Sequence, residues 1–305
     1  MQWGQVKTLF ILCFLVLDIF LIQQFNNNRE VELPSIPQES SKEETLKADI
    51  EGLDDLPEEI DQESNLYASR KTYTEDEIES INGLNDQQVA VIDGNLILSQ
   101  FEEPIPINMD GNYAETLQSS VLFSDNFVFW GKNEPSNTLI FFQKNNDRPI
   151  YFNQGGLLLI VLDEEGRMVQ YSQTMLEEEE EERERETYDL IEAIDAVSSL
   201  YYNTSELSSG EKVTGSLGYH NLIPLPNGVQ VLAPTWRITV NSQRNYFVNA
   251  IEMHTYFRDD NDFLIETIND TLGKIGNLDN ESELLKEIVS NYTEIIETTI
   301  WSGEE

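Results

Sequence analysis

Residues 8–25 form an apolar run with one carboxylate, Asp18, inside it, and the chain beyond that run is strongly acidic. As a helix the run would measure about 27 Å at about 1.5 Å per residue, roughly the hydrocarbon thickness of a bilayer. A cleaved signal peptide needs a small-x-small site after the apolar stretch. The residues from Gln23 to Arg29 offer none. Cys13 follows Ile11 and Leu12 rather than the small residues of a lipobox, so lipidation is not expected. The run therefore reads as an uncleaved signal anchor. Lys7 favours a cytoplasmic N-terminus, and Trp3 suits the interface as an aromatic anchor. The expected layout is a cytoplasmic 1–7, a transmembrane helix over 8–25, and the bulk of the chain outside the cell membrane.

The formal charge is -39, from 18 basic and 57 acidic residues. Lys7 and Asp18 offset each other, so the imbalance belongs to the external part. Such a chain repels nucleic acid, whose binding needs Lys and Arg to neutralise phosphates. It repels anionic headgroups too. Solubility is the ordinary reading of that charge, and capture of a cation or a wall fragment on the acidic surface is the sharper one. Cys13 is the only cysteine. The external part has no disulfide, no thiol nucleophile and no thiolate metal site, which fits the outside of a Gram-positive bacterium better than a disulfide-stapled secreted domain.

Residues 26–48 are polar and carry Pro34 and Pro37, the composition of an extended linker. An external domain is expected over 49–256. Thr74 with Glu77 predicts a capping box ahead of a short helix that stops at Asn82-Gly83. Residues 89–92 and 96–98 flank Asp93-Gly94-Asn95, a hairpin signal. A second short helix is expected over 113–121. Four aromatic and β-branched runs follow, at 138–142, 149–152, 157–162 and 167–171, separated by turn residues. Glu177 opens an acidic run to Glu182 that precedes or forms the solvated first turn of a helix, where negative charge suits the dipole. Leu190, Ile191, Ile194, Val197 and Tyr201 give that helix its periodicity. Strands over 229–232, 235–240 and 246–248 close the domain.

Antiparallel hairpins with a few helices indicate an α+β fold. The order helix-then-strands occurs twice, at 74–98 and 187–251, the layout of two related halves, though the sequence similarity is too weak to define a repeat. Residues 257–305 form an acidic tail. Leu284, Leu285, Ile288, Val289, Tyr292, Ile295, Ile296 and Thr299 make an amphipathic stripe there, which predicts a C-terminal helix packed on the domain.

The tools of an enzyme are missing. His220 and His254 lie in no metal-ligand spacing. There is no nucleophile elbow, phosphate loop or dinucleotide fingerprint, so no cofactor is expected. A sortase-like transpeptidase is ruled out because Cys13 sits in the anchor. Arg258-Asp259-Asp260-Asn261-Asp262 faintly resembles a calcium loop but lacks the glycine and closing glutamate such loops need. What remains is Asp18. A carboxylate in a span costs about 2.5–3.5 kcal/mol on insertion scales. Either it is protonated or snorkels to the interface, or it hydrogen-bonds a polar group on another transmembrane helix.

The chain resembles the YycI (WalI) family. Three stretches carry the likeness. The first is Trp3 with Lys7-Thr8-Leu9-Phe10-Ile11 and Leu17-Asp18-Ile19-Phe20-Leu21. The second runs over 196–203, ending Leu200-Tyr201-Tyr202-Asn203. The third is Gly218-Tyr219 with 229–238, including Ala233-Pro234-Thr235-Trp236-Arg237-Ile238. The resemblance covers roughly 1–251 and leaves the tail without a family role. It implies an anchored, non-catalytic regulator that assembles with YycH and the sensor histidine kinase WalK (YycG) and modulates kinase output through transmembrane helices.

Overall fold

The computed structural model describes residues 7, 14–15, 39–57, 62–111, 113–179, 186–224, 228–278 and 282–302. The chain divides into two compact units, Met1–Ala48 and Asp49–Glu305.

In the first unit Lys7, Phe14 and Leu15 are helical. The rest of the expected anchor, Asp18 included, lies outside the described residues. Among the described residues no helix is long and apolar enough to cross a membrane. Helix α1 (Glu39–Asp49) lies mostly in the segment whose composition reads as an extended linker. Two local causes make it helical. No proline lies between Pro37 and the end of the helix at Asp49, and Glu43 accepts from Lys47 Nζ at 2.6 Å, an i,i+4 pair in the favourable order.

The second unit is α+β. Strand β1 (Gln62–Ser64) precedes β2 (Leu66–Arg70). Helix α2 (Glu75–Asn82) starts on the expected capping box: Thr74 Oγ1 accepts from Glu77 N, and the Glu77 carboxylate accepts from Thr74 N at 2.9 Å. Strands β3 (Gln87–Ile92) and β4 (Leu96–Pro106) form the expected hairpin. Its three-residue loop, Asp93 to Asn95, places Asp93 at φ 50° and Gly94 at φ 69°, a left-handed pair that reverses the chain, with Asn95 N donating to Ile92 O at 3.1 Å. Helix α3 (Tyr113–Ser120) follows. Next come β5 (Phe127–Asn133), β6 (Thr138–Asn145), β7 (Arg148–Tyr151), β8 (Leu157–Leu162) and β9 (Arg167–Thr174).

Here the sequence departs from the expected helix. Glu177 and Glu178 belong to a strand, β10 (Leu176–Glu178), paired with β2. Residues 180–182 of the acidic run, and 183–185 after it, lie outside the described residues. Strand β11 (Thr187–Asp189) pairs with β1, which removes these residues from any helix. Helix α4 begins only at Ala193 and ends at Ser199, continuing as a single π turn over Leu200–Thr204. Ile191 fits the helical spacing, but its carbonyl accepts from the Trp236 indole at 2.9 Å instead.

Strand β12 (Val213–Pro224) was not foreseen as a strand. Strand β13 (Gln230–Val240) runs unbroken where two strands were expected. Pro234 is tolerated in its middle because of where it falls. One edge of β13 pairs with β2 at 230–232 and with β14 (Arg244–Asn249) at 235–240. Pro234 sits in the gap between those partners, where no ladder donor is required. The short β15 (Thr255–Tyr256) closes the edge.

The main sheet runs β10-β2-β13-β12-β7-β6-β8-β9-β4-β3, with β14 and β5 pairing beside it. Two half-sheets meet at β7. It pairs antiparallel with β6 and parallel with β12, a parallel joint inside an otherwise antiparallel pattern. Gly218 makes this joint possible. A Cβ there would come within 2.4 Å of the Tyr151 ring and 2.5 Å of Pro149 O.

Strands β6 and β8, at the centre of this half, are largely apolar on both faces, as expected for a sheet covered twice. Leu139 and Phe141 of β6, with Leu158 and Ile160 of β8, pack in one cluster with Ile81 of α2 and Leu117 of α3. Ile140 and Phe142, with Leu157 and Leu159, face the other way. That second face is covered by the tail, which forms α5 (Asp260–Gly276) and α6 (Glu283–Ser302). Phe263, Leu264 and Ile268 of α5 and Leu284, Leu285, Ile288, Tyr292 and Ile295 of α6 are buried in that cluster, so the amphipathic stripe packs as expected. Residues 259–262 end up as a helix start: Asp259 caps α5 by accepting from Asn261 N at 2.8 Å and Asp262 N at 3.1 Å.

Candidate functional site

Asp18, the one residue singled out for interaction, is outside the described residues, so its surroundings are argued from sequence alone. The other candidates fall in the folded unit.

His220 sits on β12, half-buried, and its ring stacks on Tyr256 with centroids 5.0 Å apart. The ring Nδ1 donates to Asn221 O at 3.1 Å. Burial lowers its pKa below the ordinary value, and the nearby Arg258 charge adds to that, so the neutral ring is favoured. His254 flanks the same tyrosine, its ring centroid 5.8 Å away. Among the described residues no group of three His, Cys, Asp or Glu could hold a metal ion.

A cleft of about 400 Å³ opens beside His220, lined by Arg70, Asn153, Gln230, Arg258 and Phe263. The Arg258 guanidinium pairs with Glu266 at its rim. Asn153 Nδ2 donates to Gln230 Oε1 at 2.6 Å and its Oδ1 accepts from Gly155 N, which fixes both amides. The lining supplies guanidinium, amide and imidazole groups and the Glu266 carboxylate that pairs with Arg258. With Arg70 and the amides it can hold polar or anionic groups.

The motif Thr235-Trp236-Arg237 shows what the strand period does. Trp236 points to α4, where its indole caps Ile191 O. Arg237 points to the opposite face. Its guanidinium lies 5.3 Å from the Trp130 ring centroid and 5.9 Å from that of Tyr151. Its Nε is buried without a hydrogen-bond partner among the described residues, so aromatic faces rather than a carboxylate stabilise the charge. Strict alternation along β13 was legible; Trp130 as the partner was not, because it comes from β5, more than a hundred residues earlier. The π turn that carries Tyr201 and Tyr202 is anchored by Tyr201 Oη donating to Asp49 Oδ2 at 2.6 Å.

Comparisons with known proteins agree with the motifs. No curated protein matches the chain. A crystal structure of an uncharacterized protein from Eubacterium rectale is similar over 65% of this chain and 87% of that one, at 12% identity and a TM-score of 0.39, too distant to bear on function. The YycI protein family matches residues 29–251. That span takes in both half-sheets from β1 to β14, the Gly218 joint and the Trp236–Arg237 pair. On that match the chain belongs to the YycI family, a regulatory family of the YycG/WalK two-component system.

Proposed function

We propose that this chain is a non-enzymatic, single-pass regulator that modulates the WalK/YycG sensor histidine kinase through contacts between transmembrane helices, together with YycH. Its N-terminus is cytoplasmic and the α+β unit is extracellular. The observation that carries the reading is the family match over 29–251, joined to the carboxylate at position 18 of an otherwise anchoring run. Anchoring does not need that carboxylate, and its insertion costs about 2.5–3.5 kcal/mol. A hydrogen bond to a polar group on a neighbouring helix offsets part of that, by about 0.6–2 kcal/mol. The anchor then biases the kinase helices because it binds one of their arrangements better than the other.

The test is Asp18→Leu in the full-length chain, with expression and membrane insertion verified. The expected result is loss of co-purification with the kinase and YycH from membranes, and a shifted kinase output. Wild-type values for both would take Asp18 out of the mechanism.

The cleft beside His220 favours one addition to this reading. Its arginines and amides suit an anionic wall fragment better than a cation. Calorimetry of the full-length chain with muropeptides and with calcium separates the two.

A further inference from the structure

The family match stops at residue 251, yet the sheet face built mainly by β4, β6 and β8 within that span is covered by helices that lie beyond it. The two helices are held differently. Helix α5 is tied at its start: Trp130 Nε1 donates to Asp260 Oδ1 at 3.1 Å and Asn133 Nδ2 donates to Asn261 Oδ1 at 2.7 Å. Phe263 then sits against Phe142 and Phe152, at centroid distances of 5.9 and 5.3 Å.

Helix α6 is flanked by open space on both sides. A cleft of about 410 Å³ separates one flank from the β8–β9 end, between Val161, Asp163 and Val169 on the sheet and Asn291, Glu294 and Thr298 on the helix. A cleft of about 380 Å³ opens between α5 and α6, lined by Leu272, Ile275, Leu285 and Val289. The seam beneath is partly polar. Asn291 Nδ2 donates to Gln170 Oε1 at 2.8 Å, and the buried Tyr292 hydroxyl lies against Ser172 and Gln170. At the far end Ile300 and Trp301 stand 48% and 74% exposed. Charge also opposes the seat. Glu294 shares the first cleft with Asp163 and Glu164, and the other exposed acids of α6, Glu283, Glu287 and Glu297, stand against one lysine, Lys286, on a protein of formal charge -39.

We propose that α6 is a removable occupant of a helix-binding groove, and that the ligand of this groove in trans is a basic amphipathic helix of a partner protein. The apolar stripe of α6 shows the shape that fits. A helix with the same stripe and an outward face of lysine or arginine fills the groove with attraction in place of repulsion. The inference goes beyond the proposed function and does not depend on Asp18.

The probe is a labelled peptide with the sequence of 283–302 in which the four glutamates are replaced by lysine; the unaltered sequence is its control. The target is the full-length chain with Cys13→Ser. In a second version Leu272→Cys and Val289→Cys, which line the open cleft between α5 and α6, are joined by a short bismaleimide that ties α6 to α5. A third version, Ile288→Asp, loosens α6, and its fold is checked by circular dichroism. The expected result is saturable binding of the basic peptide, at least tenfold tighter than the control, at least tenfold weaker to the bridged protein and tighter to a folded Ile288→Asp protein. Equal binding to bridged and unbridged protein would mean attraction to the acidic surface and would overturn the proposal. So would an absence of binding to the unbridged chain.

Discussion

The Trp130 indole donates to the Asp260 carboxylate at 3.1 Å, joining β5 of the family-matched span to the first residue of α5 beyond it. The same ring receives Arg237 on its face. One side chain thus ties the tail to the sheet and houses a buried guanidinium. Trp130→Phe keeps most of the ring and removes the donor. The bond is exposed, so the expected loss is about 1 kcal/mol of unfolding free energy. Trp130→Ala also empties the aromatic cluster, and about 3 kcal/mol is expected. Urea unfolding of both variants checks the order; an unchanged Trp130→Phe would show that the hydrogen bond contributes nothing, and equal losses would show that the ring adds nothing beyond it.

Protonation of His220 should destabilise the fold. Burial holds its folded pKa below the ordinary histidine value. On acidification the unfolded chain therefore takes up the proton first, and stability falls as the pH drops below about 6.5. Urea midpoints between about pH 7.5 and about pH 5.5 should decline in the wild type and decline less in His220→Gln. Parallel profiles would assign the decline to the carboxylates instead.

The capping box sets the start of α2. Thr74→Ala removes the oxygen that accepts from Glu77 N and should cost about 1 kcal/mol, whereas Thr74→Ser should cost far less. Thermal melts of the two variants side by side read the difference.

Local stability should differ between the two covers of the sheet. Phe142 is fully buried at the centre of the aromatic cluster, and Phe142→Ala should lower global stability by about 3–5 kcal/mol. Ile288 is equally buried, but its helix is flanked by clefts. Ile288→Ala should raise amide hydrogen exchange across 283–302 while the strands keep their protection. Exchange that rises uniformly would make α6 an inseparable part of the core.

Legibility followed the range of the interactions. The hairpins at Asp93-Gly94 and at Asn146-Asp147 were readable because the left-handed turn residues are local signals. The runs at 138–142 and 157–162 were readable because, Thr138 apart, covering both sheet faces leaves only apolar positions in them. Strand β12 was missed. Gly215, Ser216, Gly218 and Asn221 dilute its strand character, and its order comes from neighbours on both edges, β13 and β7. The helix around 190 was placed too early, because Ile191 has helical spacing but spends its carbonyl on Trp236. Of the candidate residues, the histidines and Asp259 were placed by the fold, the latter as a helix cap. Arg237 on Trp130 depended on a contact between distant strands that no local pattern encodes.

The central claim is that this chain changes the output of a membrane kinase without doing chemistry itself. Its most direct test is autophosphorylation of the YycG/WalK kinase in proteoliposomes, with and without the full-length chain and YycH. A reproducible change in the rate that is abolished by Asp18→Leu is the predicted result. An identical rate with and without the chain, at verified insertion and stoichiometry, would contradict the account.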